Sequence, residues 1–301
     1  MISSLSDSTL KQYQSCFRRW TSFCRERNID PLALDPILVV TFLQWVLDTS
    51  SVSYSTINTF RSALSLLSPN SLGCDPLISR FMKGVFHVRP PKPKYDTTWD
   101  PQLVLDHLDH PIEDFPGISH KLATLMLLAT GQRLQTIALI RMSDIHQQPG
   151  VGVKIFISGR TKTTAPHRPQ PCLELHFFPH RPHLCVVSLL QKYLNMSADL
   201  RPDDSDFLFI ICRPPYTPAS RQVISKWVSS TLNDAGVPQA FRPHSTRHAS
   251  VSAANRSGMP IESIIRAAGW SRNSSTFAKF YNRPLTSPEG LLPHVFSSTN
   301  S

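Results

Sequence analysis

Apolar positions in the first ninety residues recur every three or four, the spacing that gathers side chains on one face of an α-helix. Leu10, Tyr13, Phe17, Trp20 and Cys24 form such a stripe, with Lys11, Arg18 and Arg25 off it. Asp35-Pro36 pairs a capping residue with a first-turn proline and starts a second helix that runs to residue 47. Ile57, Phe60, Leu64 and Leu67 predict a third helix over residues 56–67, and residues 76–88 read as a fourth. Arg89-Pro90-Pro91-Lys92-Pro93-Lys94 then removes backbone donors and favours an extended, semi-rigid chain, so it reads as an interdomain linker.

Past the linker the pattern mixes periods. Residues 120–129 and 132–142 read as helices broken at Thr130-Gly131, which leaves Arg133 near the start of the second, where its guanidinium and the first backbone N–H groups face one anion. Residues 151–158 and 170–177 read as strands, joined by a turn containing Gly159, Arg160, Thr161 and Lys162. Helices are expected at residues 184–195, 218–234, 245–257, 260–268 and 274–281, with a strand at 206–212. The expected fold class is therefore mainly α, with a small β-sheet in the second domain. The boundaries read as 1–88 for a helical domain, 89–98 for the linker, 99–284 for the mixed domain and 285–301 for a tail expected to be poorly ordered. There is no internal repeat.

A length of 301 residues suffices for two domains with their own cores. No apolar run reaches the roughly 18 residues of a membrane span. Residues 1–8 lack the basic and apolar regions of a secretory signal, so the six cysteines are expected as thiols in a reducing compartment. The net charge of +10 points to a polyanionic partner, and its distribution sharpens that reading. Residues 96–116 carry Asp96, Asp100, Asp106, Asp109, Glu113 and Asp114 with no Lys or Arg, whereas residues 240–284 carry Glu262 as their only acid among several basic residues.

That basic stretch also holds the candidate chemistry: His244-Ser245-Thr246-Arg247-His248, then Gly269-Trp270, then Tyr281. If a helix begins at Ser245, His244 stands at its cap and Arg247 lies three residues on, so both converge beside one phosphate. His248 is expected to point elsewhere. Trp270 offers a ring N–H, and Tyr281 is a phenol whose ionisation needs cations and a proton acceptor nearby. With Arg133 these are the parts that stabilise a phosphorane's oxygens during attack by a phenolic oxygen. A rival constellation, His176, His180, His183 and Cys185, has a spacing that superficially suits zinc, but Pro179 and Pro182 interrupt it and no second ligand pair is near. No P-loop, GxGxxG or serine nucleophile elbow is present.

The order Arg, His-x-x-Arg-His, Gly-Trp, Tyr resembles the signature of the tyrosine recombinase (phage integrase) superfamily, and the local wording is most similar to recombinases of DIRS-like mobile elements. Residues 1–88 resemble that family's helical core-binding domain, through Ser8-Thr9-Leu10-Lys11-Gln12-Tyr13 and Phe60-Arg61-Ser62-Ala63-Leu64. The resemblance implies a two-domain clamp around duplex DNA, a 3′-phosphotyrosine intermediate formed without metal or other cofactor, a homotetramer on two DNA sites and, in a eukaryotic host, a nuclear location. It makes Arg133 and Arg247 the phosphate clamp, His244 the proton-transfer residue, Trp270 the ring donor and Tyr281 the nucleophile. Lys162 is the choice for the lysine that protonates the leaving oxygen, with Lys154 the other candidate. The alternatives are a non-catalytic DNA-binding derivative of such an enzyme and a type IB topoisomerase. Two departures stand out: Thr136 occupies a position that is often acidic, and the Trp270-to-Tyr281 interval is about two residues longer than the common bacterial spacing.

Overall fold

Ser6 accepts a hydrogen bond from the Thr9 amide and starts α1 (Asp7–Glu26). Asp35 caps α2 (Pro36–Thr49), Ser53 caps α3 (Tyr54–Leu67) and Asp75 caps α4 (Pro76–Val88), each side chain satisfying amides that the first turn leaves unpaired. Their buried faces meet in an aromatic core, where the Phe42 ring lies 5.1 Å from Trp20 and 5.3 Å from Phe23. Cys16 and Cys24 belong to that core, and burial pushes the Cys16 thiol up to about 12. The computed structural model describes residues 5–68, 72–91, 94–161, 164–165, 170–270, 277 and 281–286. It divides the chain into two compact units, Met1–Lys94 and Tyr95–Ser301.

Arg89, read from the sequence as linker, belongs to the first unit. Its Nη1 donates to the carbonyls of Ser50 and Val52, and its Nη2 to that of Leu47, so it closes the C-terminal end of α2.

The second unit contains α5 (Pro101–Leu108), α6 (Phe115–Thr130), α7 (Leu134–Ala138), β1 (Ile145–Gln148), β2 (Gly152–Phe156) and β3 (Cys172–His176). It continues with α8 (Val186–Ser197), α9 (Arg221–Asp234), α10 (Ser245–Arg256) and α11 (Ile261–Ala267). The sheet is antiparallel in the order β1-β2-β3, with Ile155 opposite Ile145 on one side and Leu173 on the other. α6 is the axis of the unit: Leu122, Ala123, Leu125, Met126 and Leu127 are all buried, and α8, α9 and α10 pack around it. The acidic stretch is spent on structure. Asp100 and Asp114 cap α5 and α6, Asp106 and Asp109 bind Arg181, and Glu113 binds Lys192.

Several sequence expectations change. α5 and β1 add to the elements that the sequence pattern predicts. The helix expected over 132–142 is shorter, because Arg133 is extended (φ −79°, ψ 147°) and only Leu134–Ala138 is helical before a single turn at Met142–Asp144. The strand expected at 206–212 is not regular: Phe207 bridges Arg141 and Ile210 bridges Pro218, one residue at a time. The tail is anchored where it begins, since Thr98 donates to the Pro284 carbonyl and accepts from the Thr286 amide. Residues 287–301, Lys162 and most of the helix expected at 274–281 lie outside the described residues.

Candidate active site

α10 carries the site. Its first turn is built by backbone and short hydroxyls: the Ser245 amide donates to the Arg242 carbonyl, Thr246 Oγ1 donates to the Pro243 carbonyl, and the buried Trp99 indole donates to Ser245 Oγ. His244 stands at the cap position with helical backbone and no capping hydrogen bond from its side chain. Positions 244, 247, 248 and 251 then share a face.

Arg247 is the centre, a guanidinium with 0% exposure. Nη1 donates to the carbonyls of Gly131 and Ala268, and the guanidinium carbon lies 4.0 Å from the centre of the Trp270 ring. Nε and Nη2 are buried and have no hydrogen-bond partner among the described residues. Burial, reinforced by the like charge of Arg133, lowers the Arg247 pKa to about 10; Tyr281 acts in the opposite sense without meeting hydrogen-bond geometry. The group is still a cation at neutral pH. A buried cation with unspent donors is a seat for an anion.

Two glycines shape that seat. Gly131 ends α6 in the left-handed region (φ +58°), where a Cβ would meet Val251 Cγ1 at 3.0 Å. Gly269 (φ +68°) leaves the end of α11, and a Cβ there would meet Gln132 Nε2 at 3.3 Å. Gln132 donates to the Ala267 carbonyl at 2.7 Å, so the turn that presents Arg133 is tied to the turn that presents Trp270.

Tyr281 closes the site. Its hydroxyl lies 3.2 Å from His244 Nε2, its ring centre is 4.9 Å from that of Trp270, and its carbonyl accepts from Ser252 Oγ on α10. Ser252 also accepts from the Arg283 amide at 3.1 Å, so one hydroxyl holds the chain on both sides of Asn282. Trp270 Nε1 is buried with no hydrogen-bond partner among the described residues, a second unspent donor beside those of Arg247.

The structure thus brings together His244, Arg247, Trp270 and Tyr281, with Arg133 close enough to Arg247 to depress its pKa. Lys162 lies outside the described residues, in the connection between β2 and β3. Lys154 sits opposite Glu174 across β2 and β3 and binds it at 3.1 Å. His248, expected to point elsewhere, stacks on the Tyr281 ring with centroids 4.2 Å apart and planes at 23°. The signal was available in the sequence, because His248 follows His244 by one helical turn.

The zinc-like constellation does not assemble: among the described residues no three His, Cys, Asp or Glu side chains are placed to hold a metal. The Cys185 thiol instead accepts from the Phe178 amide and from Ser188 Oγ, each at 3.3 Å.

Solved structures share the fold. XerH site-specific recombinase bound to palindromic difH substrate, in a post-cleavage complex, is similar with a TM-score of 0.59 and 18% identity, over 83% of this chain and 70% of that one. The Tn1549 transposon integrase in complex with transposon right end DNA gives 0.58 and 14%, over 95% and 99%. A lambda integrase dimer bound to a COC′ core site gives 0.53 and 16%, over 95% and 75%. No curated protein sequence matches the chain. Residues 102–287, from α5 past Tyr281, match the phage integrase family. The match spans more than half of the chain and every element that builds the Arg247 site, and the chain therefore belongs to the phage integrase family, the tyrosine-type DNA recombinases.

Proposed function

We propose that this recombinase cleaves and rejoins duplex DNA through a covalent 3′-phosphotyrosine at Tyr281, in the service of a DIRS-like mobile element, as a homotetramer on two DNA sites. The observation that carries the reading is the set of buried donors left over around Tyr281: Arg247 Nε and Nη2 and Trp270 Nε1. They sit beside a hydroxyl that already faces an imidazole nitrogen.

In the cleavage step the Tyr281 oxygen attacks phosphorus and its proton passes to His244. The bond from phosphorus to the 5′ oxygen breaks, and Lys162 supplies the proton that this oxygen takes. Arg133, Arg247 and Trp270 hold the non-bridging oxygens, where negative charge grows in the transition state. Rejoining is the same path reversed with a 5′ hydroxyl as nucleophile, so no external energy source is needed. The extended conformation of Arg133 at the start of α7 supports its part, because the backbone hands the side chain to the site instead of folding it along a helix. The excess positive charge between residues 240 and 284 supports duplex DNA as the partner.

Covalent trapping on nicked suicide DNA tests the proposal, using a pool that includes the ends of any element flanking the gene. The native chain is expected to give adducts that survive denaturation, and Tyr281→Phe none. Salt-sensitive binding without any adduct would assign the chain to non-catalytic DNA binding instead. Lys162→Ala is expected to slow cleavage of ordinary DNA but not of DNA with a bridging sulfur at the scissile 5′ position, because a thiolate leaves without a proton.

A further inference from the structure

We propose that His248 is a positioning residue for the nucleophile: its imidazole is a platform that fixes the plane of the Tyr281 ring so that the phenolic oxygen points at phosphorus. The inference rests on the reading of Tyr281 as the nucleophile and adds a residue that the phosphate-handling set does not include.

The contact is face to face, with centroids 4.2 Å apart and planes at 23°. The other rings around Tyr281 meet it at steep angles, Trp270 at 58° and His244 at 77°. His248 therefore supplies the parallel surface that sets the ring's plane, while Trp270 limits its slide and His244 meets its hydroxyl. A tyrosine held at its backbone alone keeps rotation about two side-chain bonds. Ser252 holds the Tyr281 carbonyl, and those two rotations are what a stacked platform removes.

The platform is itself braced. His248 is nearly buried, on the second turn of α10. The Tyr95 ring meets it at 5.5 Å and 78°, and the Phe241 ring lies 5.2 Å from Tyr95. Tyr95 is pinned in turn, because its hydroxyl accepts from the Arg242 amide at 3.1 Å, two residues before His244. The order of support runs from Tyr95 to His248 to Tyr281. Each link is a ring packed on a ring, so an aromatic side chain at position 248 preserves the device and an aliphatic one abolishes it.

The test is single-turnover adduct formation on suicide DNA for the native chain, His248→Ala and His248→Phe, with DNA affinity measured alongside. A misplacement of the reacting atom by about 1 Å costs on the order of 100-fold. His248→Ala is expected to slow adduct formation about 10- to 100-fold with affinity unchanged, and His248→Phe to recover most of the rate. Equal rates in all three chains would overturn the proposal. So would equal slowing in both variants, which would assign the imidazole a chemical role. A parallel measurement needs no cleavage: in protein with 13C-labelled tyrosine, identified through Tyr281→Phe, the Tyr281 ring resonance should move in His248→Ala and broaden or split. In His248→Phe it should stay a single line. An unmoved resonance in His248→Ala would contradict the platform even if the native chain forms no adduct, an outcome that by itself counts only against Tyr281 as nucleophile.

Discussion

The seam between α2 and α4 and the first turns of α10 each hold an arginine that reaches into exposed ends of backbone, and they differ in what is left over. Arg89 is half-buried and spends its terminal nitrogens on the carbonyls of Leu47, Ser50 and Val52. Arg247 is fully buried, spends one nitrogen on Gly131 and Ala268, and keeps Nε and Nη2 unspent. The first arrangement staples a helix end. The second carries a desolvated charge, and burial together with the like charge of Arg133 lowers its pKa to about 10. In the proposed reaction those unspent donors are taken up by the phosphate oxygens.

Removing each arginine in turn separates the two roles. Arg247→Met should reduce single-turnover cleavage about 100- to 1,000-fold, the loss of a preorganised oxyanion donor. Its stability in urea should stay within about 1 kcal/mol of the native chain, because the relief from burying a charge offsets the lost hydrogen bonds. Arg89→Met should lose about 2 kcal/mol of stability in the same titration and leave cleavage by bound protein unchanged. If Arg89→Met and Arg247→Met prove alike in both assays, the contrast is wrong.

Gly131→Ala probes the seat instead of the charge. A side chain at φ +58°, 3.0 Å from Val251, should cost about 1–2 kcal/mol of stability. Cleavage should fall further, about tenfold, because the displaced carbonyl is one that holds Arg247. The smallest effect is expected from Ser252→Ala, which frees the Tyr281 carbonyl and the Arg283 amide together. A few-fold slower adduct formation with about 1 kcal/mol lost in denaturant would match, whereas an unchanged rate would show that the aromatic contacts alone place the nucleophile.

The two regions were also unequally legible. α2 and α4 begin at Asp-Pro pairs and bury apolar stripes, so their starts follow from local chemistry. α5 starts at the same kind of pair, Asp100-Pro101, but its eight residues, like the four of β1, are too few for periodicity to separate from a loop. The apolar run at 206–212 reads as a strand, yet its partners are isolated positions, Arg141 and Pro218, which no pattern within the run discloses. In the site, residue types and order pointed to Arg133, His244, Arg247, Trp270 and Tyr281. The backbone partners of Arg247 were out of reach, since they come from two left-handed turns far apart in sequence. His248 lies one turn from His244 on α10, but helical spacing alone does not disclose that the Tyr281 ring stacks on it.

In the proposed reaction Tyr281 becomes covalently bonded to DNA beside the unspent donors of Arg247. Trapped complexes digested with nuclease and protease, then sequenced by mass spectrometry, test it most directly. A nucleotide residue joined through its 3′ phosphate to the peptide containing Tyr281 is the expected result. Attachment at another residue, or through a 5′ phosphate, would contradict it.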